Sequence, residues 1–122
     1  MNQKVVAIDF DGTIAESVYP DFGELLPGAK EYINKLYEDG IYIIIYTCRS
    51  GKQEAMVSDF LSQHGVKFHL INQNKPELVE FYNIDSRKVS ADIYVDDKQL
   101  GGLPKDWSVI YEMIHHQLKS GT

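Results

Sequence analysis

The sequence predicts an α/β fold: a central parallel sheet with helices on both faces, a three-layer α/β/α sandwich. Three observations lead there. Short apolar runs alternate with amphipathic segments along all 122 residues, without repeat, linker or low-complexity tract, and such alternation means crossover units and a parallel sheet. The runs "KVVAIDF" (4–10) and "IYIIIYT" (41–47) are apolar on both faces, as strands covered on each side by helices are. Proline and glycine bracket the segments between them in the order helices use: proline near the start, glycine past the end. One domain over residues 1–122 is expected, since this length sustains a single core.

The elements follow in order. Residues 4–10 are a β-branched run that stops at a Gly-containing turn, a first strand. From Pro27 to Asp39, Ile33, Leu36 and Tyr37 keep helical spacing, with Gly40 just beyond. Residues 41–47 form the second strand. Residues 52–64 place Met56, Phe60 and Leu61 on a helix that stops at Gly65, a left-handed cap. "VKFHLIN" (66–72) is a third strand, and Pro76 to about Tyr82 a short helix with Asn74 or Lys75 at its mouth. "DIYVDD" (92–97) is a fourth strand. After the turn "GGLP", a helix from Trp107 to about Leu118 sets Trp107, Ile110, Tyr111 and Ile114 on one face. A fifth strand is not evident.

Composition narrows the function classes. The net charge of -6 and the lack of a Lys/Arg cluster argue against extended nucleic-acid binding. The longest apolar stretch, residues 41–48, is far short of the roughly 20 residues of a membrane-spanning helix. Cys48 is the only cysteine, which rules out an intrachain disulfide and a zinc site built on several thiolates. No basic-then-apolar leader pattern opens the chain, so a reducing, cytoplasmic setting is expected. His64, His69, His115 and His116 have no partners at metal-ligand spacing and read as structural or solvated.

In open parallel sheets ligands bind outside the carboxyl ends of the strands. Asp9 and Asp11 end strand one, Thr47 and Arg49 strand two, and Asp96 and Asp97 strand four; Asn72 ends strand three, with Lys75 in the loop after it. Asp9 and Asp11, two apart, face one side if strand geometry persists to residue 11. Four carboxylates at one edge repel one another unless a proton or cation offsets them. Without His or Cys nearby, the donor set suits a hard ion such as Mg²⁺. A Mg²⁺ site with a hydroxyl and a lysine close by suits a phosphate, because phosphoryl transfer is dominated by positioning and charge neutralisation.

"VVAIDFDGTIAES" resembles the first signature motif of the haloacid dehalogenase (HAD) superfamily, an apolar strand running into Asp-x-Asp-Gly-Thr. "YIIIYTCR" looks like the second motif and "ADIYVDD" the fourth, and their order and spacing cover most of the chain. "RKVSADIYVDDKQLGGLPKDWSVIYEMI" further resembles a group of small bacterial members that lack a cap. The resemblance implies a Rossmann-type fold and a Mg²⁺-dependent phosphatase acting through an aspartyl-phosphate. It implies Asp9 as nucleophile and metal ligand, and Asp11 as proton donor and acceptor that also gives its backbone carbonyl to Mg²⁺. Asp96 would be a metal ligand, and Asp97 a ligand or an anchor behind it. Thr47 would hydrogen-bond the phosphoryl group, and Gly12 would let backbone N–H groups approach it.

The motif-three lysine has two candidates. Lys75 follows strand three; Lys88 lies eight residues before Asp96, roughly 26 Å if extended, so the physical reading prefers Lys75. Only 15 residues separate Asp11 from Pro27, too few for a cap. The open pocket then suits a phosphate on a larger molecule or a lid from a second copy in a homodimer. Glu16, Tyr19 and Arg49, in and beside the "AESVYPDFGE" loop, are candidate substrate contacts. Two other classes remain: a receiver-like phosphoacceptor, whose acceptor Asp would end a middle strand, and an inactive HAD-like regulator.

Overall fold

The computed structural model describes residues 3–76 and 89–120. They form β1 (Val5–Asp9), α1 (Ala29–Glu38), β2 (Tyr42–Tyr46), α2 (Lys52–Gln63), β3 (Leu70–Ile71), β4 (Ile93–Val95) and α3 (Trp107–Ser120). The four strands make one sheet in the order β3-β2-β1-β4, and every pairing is parallel. The α/β expectation holds. No helix among the described residues is long and apolar enough to cross a membrane.

Alternation along the strands sorts the core into two faces. Val6 and Ile8 of β1, Ile43 and Ile45 of β2 and Val95 of β4 pack with Ile33 and Leu36 of α1, Val57 and Leu61 of α2, and Trp107, Ile110 and Ile114 of α3. Val5, Ala7 and Ile44 face the other way, with Val89, Tyr42, Tyr46 and Leu70. The path β1→β2→β3 moves in one direction across the sheet, so right-handed crossovers put α1 and α2 on the same face. The helix expected from Pro76 to about Tyr82 falls, past Pro76, outside the described residues, and so does Lys88.

Two expectations shift. In α2 the inward residues are Val57 and Leu61, an i, i+4 pair, while Met56 is 46% exposed. β3 is two residues long rather than the expected 66–72. The cause is competition for backbone donors: Val66 N–H bonds the Leu61 carbonyl at the end of α2, and Lys67 N–H bonds Asn34 Oδ1. Side chains then extend the ladder. His69 gives its N–H to the Ile43 carbonyl and accepts the Ile43 N–H at Nδ1, 2.9 Å each. At the other end Asn72 Oδ1 accepts the Thr47 N–H at 2.9 Å while its Nδ2 donates to the Thr47 carbonyl at 3.0 Å.

The His69 ring is stacked between Tyr37 and Tyr42, with centroids 4.5 and 4.2 Å away. Burial, aided by the nearby charge of Lys75, holds its pKa below the usual 6.5. The unfolded chain therefore takes up a proton that the folded one refuses, and stability is lost as pH falls through the unfolded value. Between pH 7.5 and 5.5 the wild type is expected to lose more thermal stability than His69→Gln, a difference readable from paired melting curves. Parallel curves would refute it.

Candidate metal centre

Chain order reverses between β1 and β4, which makes this the switch point of the sheet, where open α/β folds place their ligands. β1 leaves the sheet at Asp9, and its neighbour β4 runs into Asp96 and Asp97. Asp9, Asp96 and Asp97 each offer one carboxylate oxygen, all within 4.8 Å of one another.

The turn after β1 builds one wall of this cluster. Gly12 has φ +85°, and a Cβ at that position would collide with the Asp97 carboxylate. Glycine is therefore required twice, for the dihedral and for the close approach. The buried Thr13 Oγ1 lies 3.3 Å from Asp9 Oδ2 and 3.5 Å from Asp97 Oδ1, and accepts the Asp97 N–H at 3.0 Å. The Thr13 carbonyl accepts Trp107 Nε1–H at 3.1 Å, which ties the turn to the first residue of α3. On the opposite wall Tyr46, in register with Asp9, donates its hydroxyl to Asp96 Oδ2 at 2.9 Å, and Lys98 N–H reaches Asp96 Oδ1 at 2.9 Å.

The electrostatics match the crowding. Burial first, then the charge of Asp96 and the contact with Asp97, pushes the Asp9 carboxyl from 3.8 up to about 7, against a smaller opposing effect of the Thr13 hydroxyl. Burial and the bond to Asp96 push the Tyr46 phenol upward as well, so it stays a donor. A carboxyl raised by burial and by two neighbouring carboxylates is one that a cation would relieve. Three carboxylate oxygens without nitrogen or sulfur are a donor set that fits a hard divalent ion, and Asp9, Asp96 and Asp97 could hold one.

Of the residues expected at this edge, Asp9, Asp96 and Asp97 come together. Thr47 follows β2, held by Asn72, whose φ is +53°. Its Oγ1 accepts the Arg49 N–H at 3.0 Å, which leaves its own hydrogen to donate. Gly12 makes the turn that admits the Asp97 carboxylate, and its own N–H bonds the Ala15 carbonyl at 2.8 Å. The Asp11 carboxylate is not among the clustered oxygens and forms a bidentate pair with Arg49, Oδ1 to Nη2 at 2.7 Å and Oδ2 to Nε at 2.9 Å. Arg49, expected to touch substrate, is 3% exposed and committed to protein partners. Tyr19 is exposed and stacks over the Arg49 guanidinium, and Glu16 N–H bonds the Glu24 carbonyl.

Lys75 is not brought to the site. It is 4% exposed, its Nζ lies 2.9 Å from Gln3 Oε1 and 5.0 Å from the Tyr42 ring centroid. Gln3 precedes β1 and stands six residues before Asp9, roughly 20 Å along an extended strand. Asn72 takes a left-handed turn, and Asn74 Oδ1 meets Ser90 N–H ahead of β4, so the chain has turned back by Lys75. Sequence reasoning missed Thr13 and Tyr46. Their signals were a hydroxyl directly after Asp-x-Asp-Gly and a phenol ending an all-isoleucine run. A groove of about 540 Å³ between α1 and α3 holds none of these edge residues.

Among solved structures, the chain is similar to that of a conserved protein from Bacteroides thetaiotaomicron. The two share 37% sequence identity with a TM-score of 0.83, over 95% of this chain and 93% of that one. The chain belongs to that protein's family. No protein-family model matches the chain, and no curated protein matches it.

Proposed function

We propose that the protein is a Mg²⁺-dependent phosphohydrolase acting through an aspartyl-phosphate, on a capless, three-layer, HAD-like scaffold in a cytoplasmic setting. The observation that carries this reading is the convergence of Asp9, Asp96 and Asp97 at the switch point of a parallel sheet.

Asp9 has two carboxylate oxygens, one for the metal and one for phosphorus. In the first half-reaction an Asp9 oxygen attacks the phosphorus, the bond to the leaving oxygen breaks, and that oxygen takes a proton from Asp11, which in its protonated form keeps one oxygen on the Arg49 fork and carries the hydrogen on the other. In the second, water attacks the aspartyl-phosphate and gives a proton to Asp11; inorganic phosphate leaves and Asp9 is restored. Thr47 Oγ1 donates its hydrogen to a phosphoryl oxygen. Bound Mg²⁺ supplies positive charge against the transferring phosphoryl group and lowers the cost of bringing an anion to three carboxylates. Lys75 is bonded to Gln3 at the other end of β1, so in this reading bound Mg²⁺ would carry much of the charge neutralisation.

The test is hydrolysis of p-nitrophenyl phosphate and of a broad panel of phosphorylated metabolites, phosphorylated nucleic-acid ends and phosphoproteins, with Mg²⁺ or with EDTA. Turnover that needs Mg²⁺ is expected. Silence across the panel, or turnover indifferent to EDTA, overturns the reading.

A further inference from the structure

Arg49 follows β2 by three residues, and every one of its side-chain N–H donors is spent on protein. Nε and Nη2 bind Asp11, Nη1 binds the Pro20 carbonyl at 3.1 Å and Gln53 Oε1 at 2.7 Å, and Nη2 also binds the Asp21 carbonyl at 2.8 Å. The guanidinium carbon sits 4.2 Å from the Phe22 ring centroid and 4.9 Å from that of Tyr19. Burying a guanidinium requires that its charge be paired and its donors satisfied. Asp11 alone supplies a side-chain carboxylate here; the other partners are neutral carbonyls and an amide. The side chain also joins pieces far apart in the chain: Asp11 after β1, the 19–22 segment and the first turn of α2.

We propose that Arg49 is a positioning residue, fixing the Asp11 carboxylate and fastening the 19–22 segment to it, so that Asp11 and this strap are ordered as one unit. The fork geometry matters, because two parallel N–H···O bonds set both the place and the tilt of the carboxylate. The strap has few ties of its own: Asp21 N–H to the Val18 carbonyl, Glu16 N–H to the Glu24 carbonyl, and Phe22 against Phe10 and Phe60. The consequence for catalysis rests on the phosphohydrolase reading; the coupling of Asp11 to the strap does not.

The experiment therefore has two arms on the full chain. In the first, amide hydrogen exchange over residues 16–25 is compared among wild type, Arg49→Gln, Arg49→Lys and Asp11→Asn. Exchange at Asp21 and Glu16 is expected to rise about tenfold in Arg49→Gln and in Asp11→Asn, although Asp11 lies outside the segment, with Arg49→Lys in between. In the second arm, Arg49→Gln is expected to lower kcat on phosphate esters roughly 10–100-fold with KM within about threefold, and to cost less than about threefold more in an Asp11→Asn background. A KM effect that persists in that background would mean that Arg49 contacts the phosphate, and overturns the proposal. Unchanged strap exchange in Arg49→Gln and Asp11→Asn overturns it as well. A wild type inactive on every ester counts against the phosphohydrolase reading, and the exchange arm then decides the coupling alone.

Discussion

Asp9→Asn is expected to reduce phosphate-ester turnover by at least about 10⁴-fold, since the amide is no nucleophile and a covalent route cannot begin without one. The same change is expected to stabilise the magnesium-free protein. The Asp9 carboxyl is raised from 3.8 to about 7 by burial and by Asp96 and Asp97. Between those two values the folded protein holds a proton that the unfolded chain has released, so stability falls as pH rises through the window. An amide at position 9 carries neither that proton nor that repulsion. In EDTA, the gain in melting temperature of Asp9→Asn over wild type should be larger at pH 8 than at pH 5. Added Mg²⁺ should stabilise the wild type far more than the variant. Substantial residual turnover in the variant would remove Asp9 from the nucleophile role. A stability gain that ignores pH would show that the carboxylate cluster does not strain the fold.

This opposition between stability and function explains which parts of the site could be read from sequence. Asp9, Asp96 and Asp97 were legible because they contradict their surroundings: carboxylates ending apolar strands have no packing rationale, so chemistry is the economical explanation. The central strands were legible for the converse reason, since Val5–Ile8 and Ile43–Ile45 are apolar on both faces and admit little else. Residues that act through geometry were harder. Thr13 and Tyr46 fit their local elements well, and only the parallel register that sets Tyr46 beside Asp9 reveals what their hydroxyls face. β3 was overextended because alternation in "VKFHLIN" says nothing of which backbone donors Leu61 and Asn34 will claim. Lys75 was assigned by its place after a strand, but its direction depends on the left-handed turn at Asn72, a conformation asparagine permits without announcing it. Arg49 was expected as a substrate contact at the exit of β2. Its five side-chain donors all have partners within the protein, which is what favours the positioning role proposed for it.

Trp107 connects the core to this chemistry, and its replacement carries the largest expected effect on stability. The side chain is buried with Ile110 and Ile114 on the face that α1, α2 and α3 share, and Nε1–H is the partner of the Thr13 carbonyl. Trp107→Ala removes a large buried ring and orphans that carbonyl, a loss of about 3–5 kcal/mol for the cavity, with the unsatisfied acceptor adding to it. Trp107→Phe separates the two contributions: most of the packing stays, the bond goes, and about 1–3 kcal/mol is expected. Because Thr13 Oγ1 also touches Asp9 and Asp97, freeing the turn should loosen the carboxylate cluster. Mg²⁺ should then raise the melting temperature of Trp107→Phe less than that of the wild type, in scans at equal metal concentration. A Phe variant with reduced stability but an undiminished response to Mg²⁺ would confine Trp107 to the core. One that loses the metal response more than the stability would show that α3 holds the site in shape through a single indole hydrogen bond.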